Sequence, residues 1–337
     1  MSSFGDTLGV PGEAGLLARL AQPLRGSFAE VTMKRAHAVV VFLCLAVLGL
    51  GASPASAQLT LDWMVPAAAN SPGLNGTDWH TDLSLHNPHV FDLPVVIQFL
   101  PTETVNTEAD TILLTLGPWQ TVNLWDVLGA AHFAVAGSGA LLVYADHDLL
   151  CDPVSDCEFL VTSRTYTLNP SASEGEFGQT LAGAPSWQGV DWATLGYAAG
   201  LLNDGVNFRA NVGIASWSSD WTSVVVDVQS AEGDILESFT YRVPPYGHLQ
   251  RRLPTLVEGG SLVFWLDDGP ANALIWGYVS VVDQLTGDAS FQLAQPSTVG
   301  FAAAAKGRGT GERRSVPRPR QVVYSSRSEV AGTASDD

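Results

Sequence analysis

The sequence predicts an all-β protein made of two tandem β-sandwiches. Residues 79–101, WHTDLSLHNPHVFDLPVVIQFLP, align with residues 208–230, FRANVGIASWSSDWTSVVVDVQS, after a shift of 129. A repeat at a fixed spacing indicates a duplicated structural unit. Short apolar runs separated by turn residues, with no long helical period, favour sandwiches over helical folds.

The first copy of the repeat begins with a strand that has one buried face. From Trp79 to Leu85 the odd positions are apolar or threonine, whereas the even positions from His80 to His86 are polar. This alternation is typical of a strand that lies half-buried on a core. Asn87-Pro88 then predicts a turn.

Later strands of the two copies align at smaller shifts. Gly139–Asp146 aligns with Gly260–Asp267 at a shift of 121, and Val161–Leu168 aligns with Ile275–Val282 at a shift of 114. The decrease of seven residues (121 − 114) predicts an insertion between these two strands of the first copy. Further strands of that copy are predicted at Val95–Leu100, Ile112–Leu116 and Thr121–Leu124.

A secretory signal peptide precedes the repeat and begins at Met33. Met33–Arg35 supplies the positive start, Val39–Leu50 the apolar run, and Ala55–Ala57 the small-residue cleavage site before Gln58. The apolar run is shorter than the roughly 20 residues of a membrane span. We therefore expect export to the extracellular space or periplasm, with no membrane insertion after cleavage.

The predicted organisation places both sandwiches after this signal. The segment after residue 300 is rich in Gly, Arg and Pro without an apolar period, which is typical of a disordered tail. The predicted boundaries are 1–32 for an upstream extension, 33–57 for the signal peptide, 58–185 for the first sandwich, 186–196 for a packed connection, 197–300 for the second sandwich and 301–337 for the basic tail.

Signal removal leaves two cysteines, Cys151 and Cys157, which both lie in the predicted insertion. Two cysteines in an exported chain are expected to form a disulfide. The loop between them is short, so the bridge is expected to shape a hairpin tip outside the shared core. A loop of this kind adds at most roughly 3 kcal/mol.

The charge of the predicted sandwiches is strongly negative. Residues 58–300 contain five basic residues, all arginine, and 27 acidic residues, which gives 5 − 27 = −22. Such a surface repels the phosphates of nucleic acid and anionic lipid headgroups. It therefore fits an extracellular protein that binds neither.

Several short motifs resemble those of a group of uncharacterised secreted bacterial proteins built from tandem immunoglobulin-like units. The motifs are WMVPAAA, TDLSLHNP, FLP, GSGALLV and VVDQLTGD, and the resemblance covers about Trp63–Pro296. It implies an immunoglobulin-like fold for each sandwich and export of the chain, and it brings no catalytic residues. The second copy departs from the pattern at Ile214–Trp217, where IASW replaces LHNP.

Two groups of residues are candidate metal ligands. His80, Asp82 and His86 share the outward face of one predicted strand and offer nitrogen and oxygen ligands. A solvated polar strand face explains the same pattern. The acidic residues of the insertion suit calcium, although aspartate is also common in ordinary turns. These acidic residues include Asp148, Asp152 and Asp156.

Four tryptophans are candidate binding residues. Trp217 and Trp221 flank a predicted loop, and Trp187 and Trp192 lie in the connection. Exposed aromatic rings mark binding surfaces and stack on sugars. Packing in the core or between the units is the alternative.

These observations favour a non-enzymatic structural, adhesive or cell-surface interaction module, with a protein or polysaccharide partner. Neither GxSxG nor HExxH occurs in the sequence. A carbohydrate-binding protein that uses exposed tryptophans is the first alternative. A hydrolase is the second, because two catalytic carboxylates can be far apart in sequence. No cofactor other than calcium is suggested, and the sequence does not fix an oligomeric state.

Overall fold

The computed structural model describes residues 60–146, 157–168 and 175–298. These residues form eighteen β-strands and 3₁₀ helices at Leu74–Gly76 and Ser186–Gln188. None of their helices is long and apolar enough to cross a membrane. The strands of the first repeat are β1 Asp62–Pro72, β2 Asp78–His86, β3 Leu93–Pro101, β4 Thr111–Leu116, β5 Thr121–Leu124, β6 Gly137–Ala145, β7 Leu160–Leu168, β8 Glu176–Ala182 and β9 Ala184–Pro185. Those of the second repeat are β10 Leu195–Asn203, β11 Phe208–Ser216, β12 Thr222–Gln229, β13 Ile235–Val243, β14 His248–Arg252, β15 Val257–Asp268, β16 Ile275–Asp283, β17 Ala289–Leu293 and β18 Gln295–Ser297.

The two repeats pair their strands in the same order. In the first repeat the larger set runs β4-β3-β6-β1-β9 and the smaller set runs β5-β2-β7-β8, all antiparallel. In the second repeat the larger sheet runs β13-β12-β15-β10-β18 and the smaller one β14-β11-β16-β17. The two sets of the first repeat are continuous because the end of β1 also pairs with β2. This strand-for-strand correspondence confirms the repeat.

The predicted shift of 129 is confirmed for the organising strands. Residues 79–86 lie in β2 and their equivalents in β11, and Leu83 and Val212 are both fully buried. The shift of 121 is also confirmed, since Ile97 pairs with Val143 and its equivalent Val226 pairs with Phe264 (264 − 143 = 121).

The predicted shift of 114 is wrong by two residues. Leu83 pairs with Ser163, whereas its equivalent Val212 pairs with Val279. The shift between β7 and β16 is therefore 116 (279 − 163), and the insertion is five residues long (121 − 116) instead of seven. Side chains alternate between faces with a period of two, so a displacement of two residues leaves the buried pattern unchanged.

The pairing order agrees with an immunoglobulin sheet in part. The second strand pairs with the fifth and the third with the sixth, as in immunoglobulin domains. The first strand, however, pairs with the sixth, and the seventh pairs with the second. The outer strands have thus exchanged sheets relative to the immunoglobulin order. The described strands establish an all-β fold of several antiparallel sheets.

Each repeat has its own hydrophobic core. The first contains Leu83, Leu85 and Ile97, and the second contains Val212, Ile214 and Val226. All six side chains are fully buried or nearly so. Burying a side chain of this size contributes about 1.5–3 kcal/mol, so the inward face of the repeated strands is a principal source of stability in both halves.

The surroundings of Cys157 differ from the sequence prediction. Its side chain is 0% exposed and belongs to the core of the first repeat. The expectation that the predicted bridge lies wholly in a hairpin tip outside the core is therefore wrong at this end. Cys151 lies outside the described residues, so its pairing with Cys157 stays a prediction.

The connection between the repeats is packed, as predicted. Val190 forms a bridge with Ile275 at the edge of β16. The indole of Trp192 packs against the second core and donates a hydrogen bond to the Pro270 carbonyl at 2.9 Å. The predicted signal peptide and the predicted tail lie outside the described residues.

A third apolar cluster joins the repeats. The outer face of the larger sheet of the first repeat supplies Met64, Leu100 and Leu142, and the smaller sheet of the second supplies Ala215 and Trp276. The indole of Trp276 also donates to the Pro185 carbonyl at 3.3 Å. The two halves are therefore held face to face.

A buried chain of hydrogen bonds crosses the same interface. Thr102 Oγ1 lies 3.0 Å from Ser138 Oγ and 2.7 Å from His248 Nδ1. His248 Nε2 lies 2.9 Å from the Tyr278 hydroxyl, which donates to Gln250 Oε1 at 2.8 Å. A neutral imidazole with its proton on Nε2 gives every member a partner. His248 is 1% exposed, and protonating it would place a charge in the interface.

The absence of a side chain at Gly213 lets the Tyr278 ring reach its position in this chain of hydrogen bonds. The two residues are paired across β11 and β16, and the phenol ring lies directly over the glycine. A Cβ atom built on Gly213 would overlap ring atoms of Tyr278. The equivalent pair in the first repeat is Ser84 and Thr162, which carries no such ring.

We expect Gly213→Ala to destabilise the protein by about 1–3 kcal/mol, because Tyr278 must leave its position over the strand. Chemical denaturation of the full chain measures this loss. Gly117→Ala is the matched control, since a Cβ there meets only the flexible end of Gln120. Equal stability of the two variants would contradict the role given to Gly213.

We expect the stability of the protein to fall on acidification because of His248. Burial lowers the pKa of His248 from 6.5 to about 3. Below pH 6.5 His248 is therefore protonated in the unfolded chain, whereas in the folded chain it stays neutral down to about pH 3. The free energy of unfolding should fall by up to about 1.4 kcal/mol per pH unit across this window.

Urea denaturation at pH 7 and pH 4.5 tests this expectation. His248→Gln should remove this part of the pH dependence, whereas His132→Gln, in a turn of the first repeat, should retain it. An unchanged pH dependence in His248→Gln would show that other groups cause it.

Candidate functional site

A groove follows one side of the junction between the repeats. Its central depression has a volume of about 570 Å³. The first repeat lines it with Tyr144 from β6 and with Asp62 and Gln98 from β1 and β3. The second repeat adds Trp217, which follows β11, and Tyr246, which lies between β13 and β14. Aromatic faces from both halves thus meet around polar side chains.

The two aromatic residues of the second repeat are held firmly. Trp217 stacks on the buried Trp276 at a centroid distance of 6.5 Å and an interplanar angle of 24°. The Tyr246 amide donates to the Ser218 carbonyl at 2.9 Å, and the Tyr246 carbonyl accepts from Asn106 Nδ2 at 2.9 Å. These contacts orient the rings before any ligand arrives.

Tyr246 also has an unusual backbone conformation. Its φ is +44°, in the left-handed region that costs a residue with a side chain roughly 1–2 kcal/mol. The hydrogen bonds to Ser218 and Asn106 hold this conformation and turn the ring toward the groove. Strain of this kind is concentrated at functional sites, which makes Tyr246 a candidate binding residue.

Asp62 is the carboxylate among the described residues that line the central depression. Burial raises its pKa, and hydrogen bonds from the side chain and backbone of Ser186 partly oppose that rise. A half-buried carboxylate beside aromatic rings is a strong acceptor for hydroxyl groups.

The groove continues beyond its centre. A second depression of about 350 Å³ shares Asp62, Trp217 and Tyr246 with the first. A third, of about 480 Å³, shares Ser186 with the second and ends at Trp187, which is 54% exposed. The shared residues make the three depressions one elongated surface with aromatic rings along its length.

Two of the four tryptophans predicted to bind a ligand line the groove, and two do not. Trp217 and Trp187 line the groove. Trp221 does not line it and lies 39% exposed under the Arg242 guanidinium, 4.8 Å from the ring centroid. Trp192 packs on the second core. Only the first two are therefore placed to contact a ligand in this groove.

His80, Asp82 and His86 do not converge. His80 lies 3.2 Å from Asp126 and 3.4 Å from Asp78, and His86 lies 2.9 Å from Thr121. Asp82 is buried, and its carboxylate accepts the Asp126 amide at 2.8 Å. His80 and Asp82 thus both contact Asp126, whereas His86 contacts Thr121. Within residues 60–146, 157–168 and 175–298, no group of three or more His, Cys, Asp or Glu is placed to hold a metal.

The acidic candidates of the insertion have no described structure. Asp148, Asp152 and Asp156 fall in residues 147–156, outside the described ranges. The calcium hypothesis for this loop stays a prediction.

Sequence reasoning missed Asp62, Tyr144 and Tyr246. Asp62 and Tyr144 occupy outward positions of strands whose inward residues dominate the pattern. Tyr246 lies in the PPYG turn, where its neighbours give a turn signal and no sign of a binding role. The available signal was the large aromatic residue inside the turn itself.

No protein-family model, curated protein or solved structure matches the chain. The groove is therefore interpreted from its own geometry.

We expect Asp62→Asn to stabilise the protein at pH 7 by about 1 kcal/mol or less. The raised pKa means that the folded state favours the neutral carboxyl, so the charged form costs stability above the folded pKa. Thermal unfolding at pH 7 and pH 3 tests this, with the exposed Asp234→Asn as the control. The gain should disappear at pH 3, and a gain that persists there would contradict the expectation.

Proposed function

We propose that this protein is an exported, non-enzymatic adhesion module that binds a linear, uncharged polysaccharide in the groove between its repeats. The observation that carries this proposal is the continuous groove with Trp217, Tyr246 and Tyr144 at its centre and Trp187 at its end. Sugar rings stack their apolar faces on such aromatic rings, and their hydroxyl groups accept hydrogen bonds from amide N–H groups and donate them to carboxylates.

The shape and the charge of the surface support this ligand class. An elongated, open groove suits a polymer that extends past both ends, and Gln98 and Asn106 add polar groups beside the rings. The acidic composition of residues 58–300 disfavours a negatively charged polymer. We therefore favour neutral glycans.

Binding is favoured over hydrolysis by the placement of carboxylates. A glycosidase needs two carboxyl groups on opposite sides of the scissile bond, about 5–10 Å apart. Asp62 is the single carboxylate among the described residues of the central depression. A hydrolase therefore remains the weaker candidate.

The architecture proposed for this module is two tandem sandwiches of immunoglobulin-like type with exchanged outer strands. Two separate hydrophobic cores support the division into two. The shared pairings of strands two with five and three with six support the type.

We expect Trp217→Ala to weaken binding of a neutral hexasaccharide about tenfold or more, because a central aromatic platform is lost. Calorimetric titration of the full chain with cello-, xylo-, malto- and chito-hexasaccharides measures the affinity. Trp221→Ala is the matched control and should bind as the wild type does, since Trp221 lies outside the groove.

The end of the groove gives a second readout. Trp187→Ala should weaken binding of the hexasaccharide and leave binding of the disaccharide unchanged. Failure of all four glycans to bind, or equal losses in Trp217→Ala and Trp221→Ala, would overturn the proposal and direct the search to a protein partner.

A further inference from the structure

A second cleft lies between the repeats and shares no lining residue with the groove. Its volume is about 300 Å³. One wall is β1, where Ala67, Ala69 and Ser71 present small residues, and another includes Trp79. The outer face of the smaller sheet of the second repeat supplies Arg209 and its neighbours.

Two arginines face this cleft together. Arg209 lies on β11, and Arg252 on β14 is paired with Asn211, two residues further along β11. Diagonal neighbours of this kind are about 7–8 Å apart. Among the five arginines of residues 58–300, these two therefore concentrate positive charge in one place on an acidic protein.

Arg209 is buried without a counter-charge among the residues that the structure describes. It is 9% exposed, and neither it nor Arg252 forms an ion pair or a side-chain hydrogen bond with a described residue, in contrast to Arg164 and Arg251. Burial, and to a smaller extent Arg252, lowers the pKa of Arg209. A buried guanidinium beside another cation is costly unless an anion compensates it.

An unsatisfied acceptor lies in the same cleft. Gln179 Oε1 on β8 is buried and has no hydrogen-bond partner among the described residues. Buried polar atoms are nearly always paired, so this oxygen calls for an O–H or N–H donor. The cleft thus combines two guanidinium groups with an acceptor that receives no hydrogen bond from the described residues.

We propose that this cleft binds a small hydroxylated carboxylate, such as a sugar acid, with the carboxylate on Arg209 and Arg252 and a hydroxyl on Gln179. The planar guanidinium fork matches a carboxylate. Inorganic phosphate would also satisfy the arginines, but it has no apolar face to place against the aromatic rings of the cleft. Trp79 and Phe291, which also line the cleft, would cover the apolar face of the ligand.

This proposal is independent of glycan binding in the groove, because the two sites share no residue. The cleft is walled on several sides and has the size of a single small molecule, whereas the groove is open at both ends. Loss of one activity would therefore leave the other intact.

Calorimetric titration of the full chain with D-glucuronate tests the proposal, with D-glucose and inorganic phosphate as comparison ligands. Glucuronate should bind saturably, glucose should not, and phosphate should bind at least tenfold more weakly than glucuronate. Arg209→Gln should weaken glucuronate binding about tenfold to hundredfold, because a bond between charged groups is lost.

Three further variants separate the roles. The exposed Arg252→Gln should also weaken glucuronate binding and should fold normally, which keeps the test valid if Arg209→Gln is unstable. Arg242→Gln, an exposed arginine beside Trp221, is the matched control and should bind as the wild type does. Gln179→Leu should weaken glucuronate and leave cyclohexanecarboxylate, which lacks hydroxyl groups, unaffected.

Absence of saturable glucuronate binding would overturn the proposal. So would an equal affinity for phosphate and glucuronate, or an equal loss in Arg242→Gln and Arg252→Gln.

Discussion

The packing of Tyr278 over Gly213 is the contact on which the arrangement of the two repeats depends. It brings the phenol hydroxyl to His248, and His248 reaches across to Thr102 of the other repeat. The apolar contacts of Met64 and Trp276 then close around these polar groups. Because every member of the chain is partnered and its centre, His248 and Tyr278, is buried, the two halves have one preferred relative position.

That fixed position creates both recognition surfaces. The groove takes Tyr144 from one half and Trp217 from the other, and the cleft places Arg209 against the small residues of β1. Neither repeat alone contains either surface. The interface therefore carries both proposed binding sites, while the two cores support it.

The sequence predicted the fold class and the repeat because these depend on the period of apolar residues, which Leu83 and Val212 display in both copies. It misplaced β16 by two residues, since that displacement preserves the period. The metal ligands on β2 were predicted from one face of one strand. The alternation of residues does not show that Asp126 and Thr121, from other parts of the chain, contact these side chains. The groove and the cleft depend on how two outer faces meet, which no local pattern encodes.

The contact between the repeats joins two different faces, so the same contact repeated between molecules would build an open-ended filament. The smaller sheet of the first repeat differs from that of the second and disfavours such a contact. It carries His80, Asp82 and Arg164 on the face where the second repeat has its interface residues. Adding another copy there would strip water from the ion pair of Arg164 and Glu176, whose side chains are 41% and 38% exposed. The divergence of this face thus disfavours the association of molecules through the same contact.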